Sequence, residues 1–235
     1  MRKIILFVLL TSSILSSYAQ TSIGLIGGYN HSTLRSNDDN LAERGIDNSY
    51  YSGWRAGIIT DHHLFGKFYL QPQLLINTKG YNISFKNTNG NAYQMNHLSR
   101  RLTYLELQTN LLFKQQAGTG KFFVGAGPYI GRGISGLERF DGDYQDGRTF
   151  TSYYTIKYSS KEPGNPNNQL SGVTYMKPYD AGVNFLAGYE LKNGLFFNAV
   201  YSLGLNHQFF GQVGNDGDKN TYFGLSIGYF FKKFS

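Results

Sequence analysis

Apolar and polar residues alternate with a period of two along most of the chain, the pattern of strands whose two faces meet different surroundings. After Arg101, the residues Leu105, Leu107, Thr109, Leu111 and Phe113 fall on one face, while Glu106, Gln108, Asn110 and Lys114 fall on the other. Any sheet could contain one such segment, so the weight lies in recurrence. Trp54, Ala56 and Ile58 oppose Arg55, Gly57 and Asp61, and Phe68, Leu70, Leu74 and Ile76 oppose Gln71, Gln73 and Asn77. Ala181, Val183, Phe185, Ala187 and Tyr189 oppose Asp180, Gly182, Asn184 and Glu190. Leu195, Phe197, Ala199, Tyr201, Leu203 and Leu205 oppose Asn198, Ser202, Gly204 and Asn206; Phe223, Leu225, Ile227, Tyr229 and Phe231 oppose Gly224, Ser226 and Gly228. Two glycine-rich strands, from about Ser22 to Asn30 and from about Phe122 to Gly133, bring the expected total to eight.

The connections alternate in length. Tight turns are expected near Leu64-Phe65-Gly66-Lys67, Ala117-Gly118-Thr119-Gly120 and Lys192-Asn193-Gly194, with long polar segments between the other strands. A strand with one face in lipid and one in a polar lumen must change environment at every residue, and a barrel inserted from the periplasm has short turns on one side and long loops on the other. The predicted fold is therefore all-β: an eight-stranded antiparallel up-and-down transmembrane β-barrel with short periplasmic turns and long extracellular loops. The longest loop, from about Ile134 to Met176, has its own alternating stretch, Phe150 to Tyr158. A further crossing there would put the next tight turn on the wrong side, so this stretch is expected as an external hairpin or a strand extending above the membrane.

The chain's beginning reads as an export signal: Arg2 and Lys3 precede the apolar run Ile4 to Leu10, and Ser17-Tyr18-Ala19 offers small residues for cleavage after Ala19. Residues 1–19 are thus expected as a signal peptide and 20–235 as the barrel domain. No other stretch approaches the roughly 20 apolar residues of a helical span, which excludes a helical membrane protein. The absence of cysteine excludes a lipid-anchored lipoprotein, a disulfide scaffold and thiol chemistry. Without Arg2 and Lys3, 20 basic residues face 15 acidic ones, an excess of +5. These charges are scattered, with no basic helix or stripe, so no nucleic acid partner is expected, and the excess suits an anionic membrane surface. The 19 Tyr, 18 Phe and 29 Gly belong to strands and turns more than to helices.

Several local patterns look like those of a known family. Gly53-Trp54-Arg55-Ala56-Gly57, Leu70-Gln71-Pro72-Gln73-Leu74-Leu75 with Lys79-Gly80, and Tyr104-Leu105-Glu106-Leu107 ending in Lys114 resemble the PorT-like outer-membrane β-barrels. Gly125-Ala126-Gly127-Pro128-Tyr129, Asp180-Ala181-Gly182 with Gly188-Tyr189-Glu190, and Tyr201-Ser202-Leu203-Gly204-Leu205-Asn206 extend the resemblance over nearly all of the mature chain. Thr109 stands where the family often has Pro, a departure expected to affect a strand bend. These motifs are structural and imply a barrel, not a reaction. The family's namesake is linked to protein secretion across the outer membrane, so the resemblance implies a secretion assembly as one task.

Inward charges form the main candidate site. Arg55, Glu106 and Asp180 lie near the loop ends of their strands, and Asp61, Lys114 and Glu190 near the turn ends, giving two levels of opposite charge. An eight-stranded interior is just wide enough for side chains to fill, so a plugged lumen is expected, with structural ion pairs. Breaking a buried pair costs about 3–5 kcal/mol, so these groups should satisfy one another. Proton or ion conduction is the alternative.

Other motifs have plainer explanations. His62 and His63 point to opposite faces of a strand and cannot readily share a metal. His31 and His207 lie at loop ends, where a barrel enzyme would keep its base, without an accompanying nucleophile pattern. Asp141-Gly142-Asp143-Tyr144-Gln145-Asp146-Gly147 and Asn215-Asp216-Gly217-Asp218 depart from a calcium loop and suit turns. Gly125-Ala126-Gly127 with Gly131 is off the dinucleotide spacing. Tyr29, Trp54, Tyr189, Tyr201 and Tyr229 fit interfacial anchoring. Tyr144, Tyr153, Tyr154, Tyr158 and Tyr175 lie near Arg139, Arg148 and Lys157, a mixture that serves either recognition or packing of the external hairpin. The expected protein is non-enzymatic, with no cofactor and no metal, and has outer-membrane lipids and a protein of an envelope assembly as partners. The alternatives are an enzyme acting on lipid or peptide, with His31 or His207 as base, and a narrow channel.

Overall fold

The computed structural model describes residues 21–35, 45–86, 93–161, 164, 167–168, 172–210 and 219–231; the expected signal segment and the Asn215–Asp218 motif lie outside these. The strands are β1 (Thr21–Arg35), β2 (Ile46–Phe65), β3 (Phe68–Phe85), β4 (Tyr93–Ala117), β5 (Gly120–Tyr144), β6 (Thr149–Tyr158), β7 (Asn167–Asn168), β8 (Val173–Met176), β9 (Tyr179–Leu191), β10 (Leu195–Gly204) and β11 (Lys219–Phe230). No helix among the described residues is long and apolar enough to cross a membrane.

Among the described residues all eleven strands belong to one sheet, which corrects the expected count of eight. The three additional strands, β6, β7 and β8, come from the segment read as the long loop, and β5 itself runs on through Ile134 to Tyr144. The cause lies in Phe150–Tyr158: its alternation is that of a strand, and it folds back on Leu137–Asp143 as an antiparallel hairpin. β8 then joins β6 in parallel, and β7 joins β8.

The remaining eight strands pair antiparallel in a cycle: β4 bonds to both β3 and β5, and β1 bonds to β11. From Gly131, the partners run through Glu106, Leu75, Gly57, Ile26, Gly228, Phe196 and Glu190 back to β5 at Lys121, ten residues from the start. An offset of this kind is what a closed sheet of tilted strands requires, with strands inclined by about 35–45° to the axis. The turns between β2 and β3 and between β4 and β5 are only two residues long, and Gly66 and Gly118 supply the positive φ there (56° and 58°).

Alternation sorts the side chains by face. Leu105, Leu107, Leu111 and Phe113 are exposed on the outer surface, whereas Glu106, Gln108, Asn110, Leu112 and Lys114 of the same strand are buried inside. The interior is layered. Near the turn end Ile26, Ile59, Leu75, Phe196 and Phe230 pack together, with Phe196 stacked on Phe230. Near the loop end Leu102, Tyr104, Ile156 and Met176 form a second apolar layer, and Leu34, Tyr81 and Leu98 a third. Phe209, from the segment after β10, packs against both of these layers. Some inward glycines are set by ring packing: a Cβ at Gly188 would collide with the Phe123 ring.

Candidate functional site

Inside the cycle lie two buried lysines, each held by two carboxylates. Lys79 of β3 is wholly buried, with Nζ 2.5 Å from Glu106 Oε1 and 2.9 Å from Asp180 Oδ2. Glu106 Oε2 also accepts from Asn77 (2.9 Å) and Gln108 (3.0 Å). Asp180 accepts from Asn220 (3.1 Å), Gln208 (3.2 Å) and the Tyr129 hydroxyl (3.4 Å). The ammonium faces the rings of Tyr129, Tyr222 and Tyr104 at 4.3, 5.1 and 5.6 Å. Such contacts gain strength when the cation is desolvated.

Nearer the turns, Lys114 Nζ lies 2.8 Å from Asp61 Oδ2 and 2.7 Å from Glu190 Oε2, with the rings of Tyr69, Phe123 and Phe230 at 4.8, 5.5 and 5.5 Å. A third group closes the loop end. Arg100 pairs with Glu138 and with the Tyr81 hydroxyl, Thr174 donates to Glu138 at 3.0 Å, and the guanidinium lies over the Phe209 ring at 4.9 Å.

The structure brings Asp61, Lys114 and Glu190 together in one cluster, and Glu106 and Asp180 in another. Arg55 differs from the expected arrangement. It is buried, but among the described residues it bonds to the neutral Tyr222 hydroxyl (3.2 Å) and Gln73 (3.4 Å), and Lys79 occupies the place between the carboxylates. Lys79 was legible, because it shares the parity of Gln71, Gln73 and Asn77 on β3, and Arg100 likewise shares that of Glu106 and Gln108 on β4. Gln208 was not. It comes from an irregular segment, yet it bridges the Tyr104 hydroxyl (2.9 Å) and Asp180 from a fully buried position.

Residues 18–209 match the outer membrane protein beta-barrel domain. The chain belongs to that family. The protein is accordingly one of the outer membrane. Among solved structures it is similar to the outer membrane protein OprG from Pseudomonas aeruginosa (11% identity, 92% of this chain and 98% of that chain covered, TM-score 0.45). It is also similar to Neisserial surface protein A (10% identity, 90% and 99%, TM-score 0.38) and to Ail of Yersinia pestis (10% identity, 91% and 99%, TM-score 0.35). No curated protein matches it.

For a member of this barrel family, the outer surface is the lipid-contacting one. Tyr29, Trp54, Tyr201 and Tyr229 are exposed there, and Tyr189 is half-buried with its hydroxyl donating to the Ala117 carbonyl at 2.5 Å. The histidines are engaged locally. His31 stacks on Tyr50 at 4.6 Å, His62 bonds to the Thr21 hydroxyl at 2.8 Å and His63 to the Gly66 carbonyl at 3.0 Å. His207 sits half-buried in the segment after β10. In the acidic stretch of the β5–β6 hairpin, Asp141 accepts from Thr151 (2.7 Å) and Arg139 (3.0 Å), and Asp146 from Arg148 (2.7 Å). Among the described residues no three His, Asp or Glu side chains gather into a metal-binding group. Gly131 lies under the Glu106 side chain, a packing position.

Above the membrane-facing cycle a seam opens in the wall. β5 pairs with β9 as far as Arg132 and with β6 from Leu137 onward, so the end of β6 and the start of β9 meet beside residues 133–136. A cavity of about 430 Å³ lies at this seam, lined by Arg132, Ile134, Lys157, Tyr158 and Tyr179 among others.

Proposed function

We propose that this protein is an eight-stranded barrel sealed to ions, with the two-residue turns in the periplasm and β6–β8 outside, and that it acts by binding through its outer extension. The supporting observation is the Lys79 cluster: an ammonium and two carboxylates, all without solvent exposure, hold strands β3, β4 and β9 together across the lumen. A conducting pore would need hydrated, exchangeable charges at that level, whereas these are consumed by one another and by Asn and Gln donors. The extension carries exposed Tyr153 opposite Arg139 and exposed Tyr144 under Arg148, aromatic and arginine surface of the kind enriched at interfaces. The resemblance to PorT-like barrels supports a place in an envelope assembly such as secretion. No catalytic or cofactor role is assigned to the histidines.

Two measurements test this. In planar bilayers the folded protein should give no stable unit conductance, and steady channels would overturn the sealed lumen. Mild-detergent purification from the native outer membrane after light crosslinking should recover a stoichiometric protein partner by mass spectrometry. Recovery of the barrel alone would overturn the assembly role.

A further inference from the structure

The seam has the chemistry of a lipid-phosphate site. Arg132 points outward between Ile130 and Ile134 of its own strand and is paired with Leu105 on one side and Tyr179 on the other, all four exposed. A guanidinium surrounded by lipid-facing apolar side chains is costly at the bilayer midplane and tolerated near the interface, where it meets anionic headgroups. Lys157 lines the same cavity and is exposed, and its side chain, like that of Arg132, has no hydrogen-bond or ion-pair partner among the described residues. Two unpaired side-chain cations thus line one cavity of about 430 Å³, with Ser160 on the same lining.

A second, apolar cavity of about 310 Å³ lies on the same face, turnward of the first, lined by Val124, Phe185, Ala187, Ala199, Tyr201 and Phe223 among others. β9 walls both, through Tyr179 above and Phe185 and Ala187 below. Phe185 lies six residue steps beyond Tyr179, about 20 Å along a strand. Strand tilt reduces this to a depth of about 15 Å, and one leaflet of hydrocarbon is about 15 Å thick. The groove exists because the outward positions at its floor are Ala187 and Ala199, between larger rings.

We infer that this face holds one phosphate-bearing anionic lipid of the outer leaflet, with its phosphate on Arg132 and Lys157 and an acyl chain in the groove between Phe185 and Tyr201. The leaflet assignment rests on the orientation proposed above.

Native mass spectrometry of the detergent-purified protein with long-chain phosphatidic acid tests it. Each interfacial cation strengthens anionic-lipid binding about fivefold, so R132A/K157A should bind about thirtyfold more weakly, whereas K67A/K192A, at the turn end, should bind as the unaltered protein does. Phosphatidylcholine should bind more weakly than phosphatidic acid, and inorganic phosphate should fail to displace the lipid. Ala187→Phe, which fills the groove, should abolish the preference for long-chain over short-chain phosphatidic acid. Equal retention by R132A/K157A overturns the site, and displacement by inorganic phosphate overturns a lipid as its occupant. An unchanged chain-length preference in Ala187→Phe overturns the groove assignment. The heat-dependent gel shift of folded barrels is checked for every variant: its loss in the unaltered protein would sink the barrel reading, while a folded protein that binds no lipid sinks this inference alone.

Discussion

The two lysine clusters share a design and differ in shelter. Each has an ammonium between two carboxylates from other strands and within 6 Å of three aromatic rings. Around Lys79 both carboxylates are fully buried and draw five further donors from Asn77, Gln108, Asn220, Gln208 and Tyr129. Around Lys114, Asp61 retains 8% and Glu190 21% of its side-chain exposure, so water near the turn end shares in solvating the charges. The same ionic motif therefore acts as a dry tie within the lumen and as a partly exposed one at the turn end. Desolvation, more than distance, should set what each is worth, because the N···O separations are nearly the same.

Variants of the two clusters sharpen that comparison. Lys79→Met should be the most damaging, since it leaves Glu106 and Asp180 buried without their cation; a loss of about 3–5 kcal/mol is expected from urea unfolding in micelles. Lys114→Met should cost less, about 2–3 kcal/mol, because Glu190 can turn toward water. Equal losses in the two lysine variants would show that shelter is not what distinguishes them. Neutralising the whole upper cluster with K79M/E106Q/D180N should bring stability back to within about 1 kcal/mol of the unaltered barrel, as replacing an entire buried ionic group often does. A triple variant as unstable as Lys79→Met would mean that the charges contribute net stability. Glu190→Gln should be the mildest, below about 1 kcal/mol in the same titration, as befits a partly exposed pair.

Much of this arrangement is written in residue parity. Leu105 to Phe113 and Glu106 to Lys114 separate cleanly into lipid-facing and lumen-facing sets because one face of each strand meets hydrocarbon and the other meets side chains. Parity also carries Asp61, Lys114 and Glu190 to a single place, since their positions near tight turns fix their depth. It gives the face and the depth of a side chain but not its reach, which is why parity alone sets Arg55 beside the carboxylates that Lys79 holds. The strands of the outer extension are harder to count, because β6 leans on β5 and β8 on β6, so they add to the sheet without adding a crossing, and the alternation of Phe150–Tyr158 alone does not tell a strand of the wall from a hairpin above it. Gln208 lies beyond any periodic signal: its burial depends on how the segment after β10 folds inward, a tertiary matter. The seam at Arg132 likewise arises where β6 takes over from β9 along β5, a change of neighbour that no local pattern announces.

The pairing of β1 with β11 has a consequence for biogenesis. Every other junction of the cycle except that of β5 with β9 joins strands that follow one another in the chain, so these can zip as hairpins soon after both halves are available. The first and last strands must find each other across nearly the whole polypeptide, from Gly24 with Phe230 to Arg35 with Lys219. Until they do, β1 presents a bare edge of unpaired amides and carbonyls, which a bilayer does not tolerate. Assembly of this protein should therefore be late-committing: its rate should depend on the final strand, and truncation before Lys219 should leave a chain that cannot enter the membrane on its own.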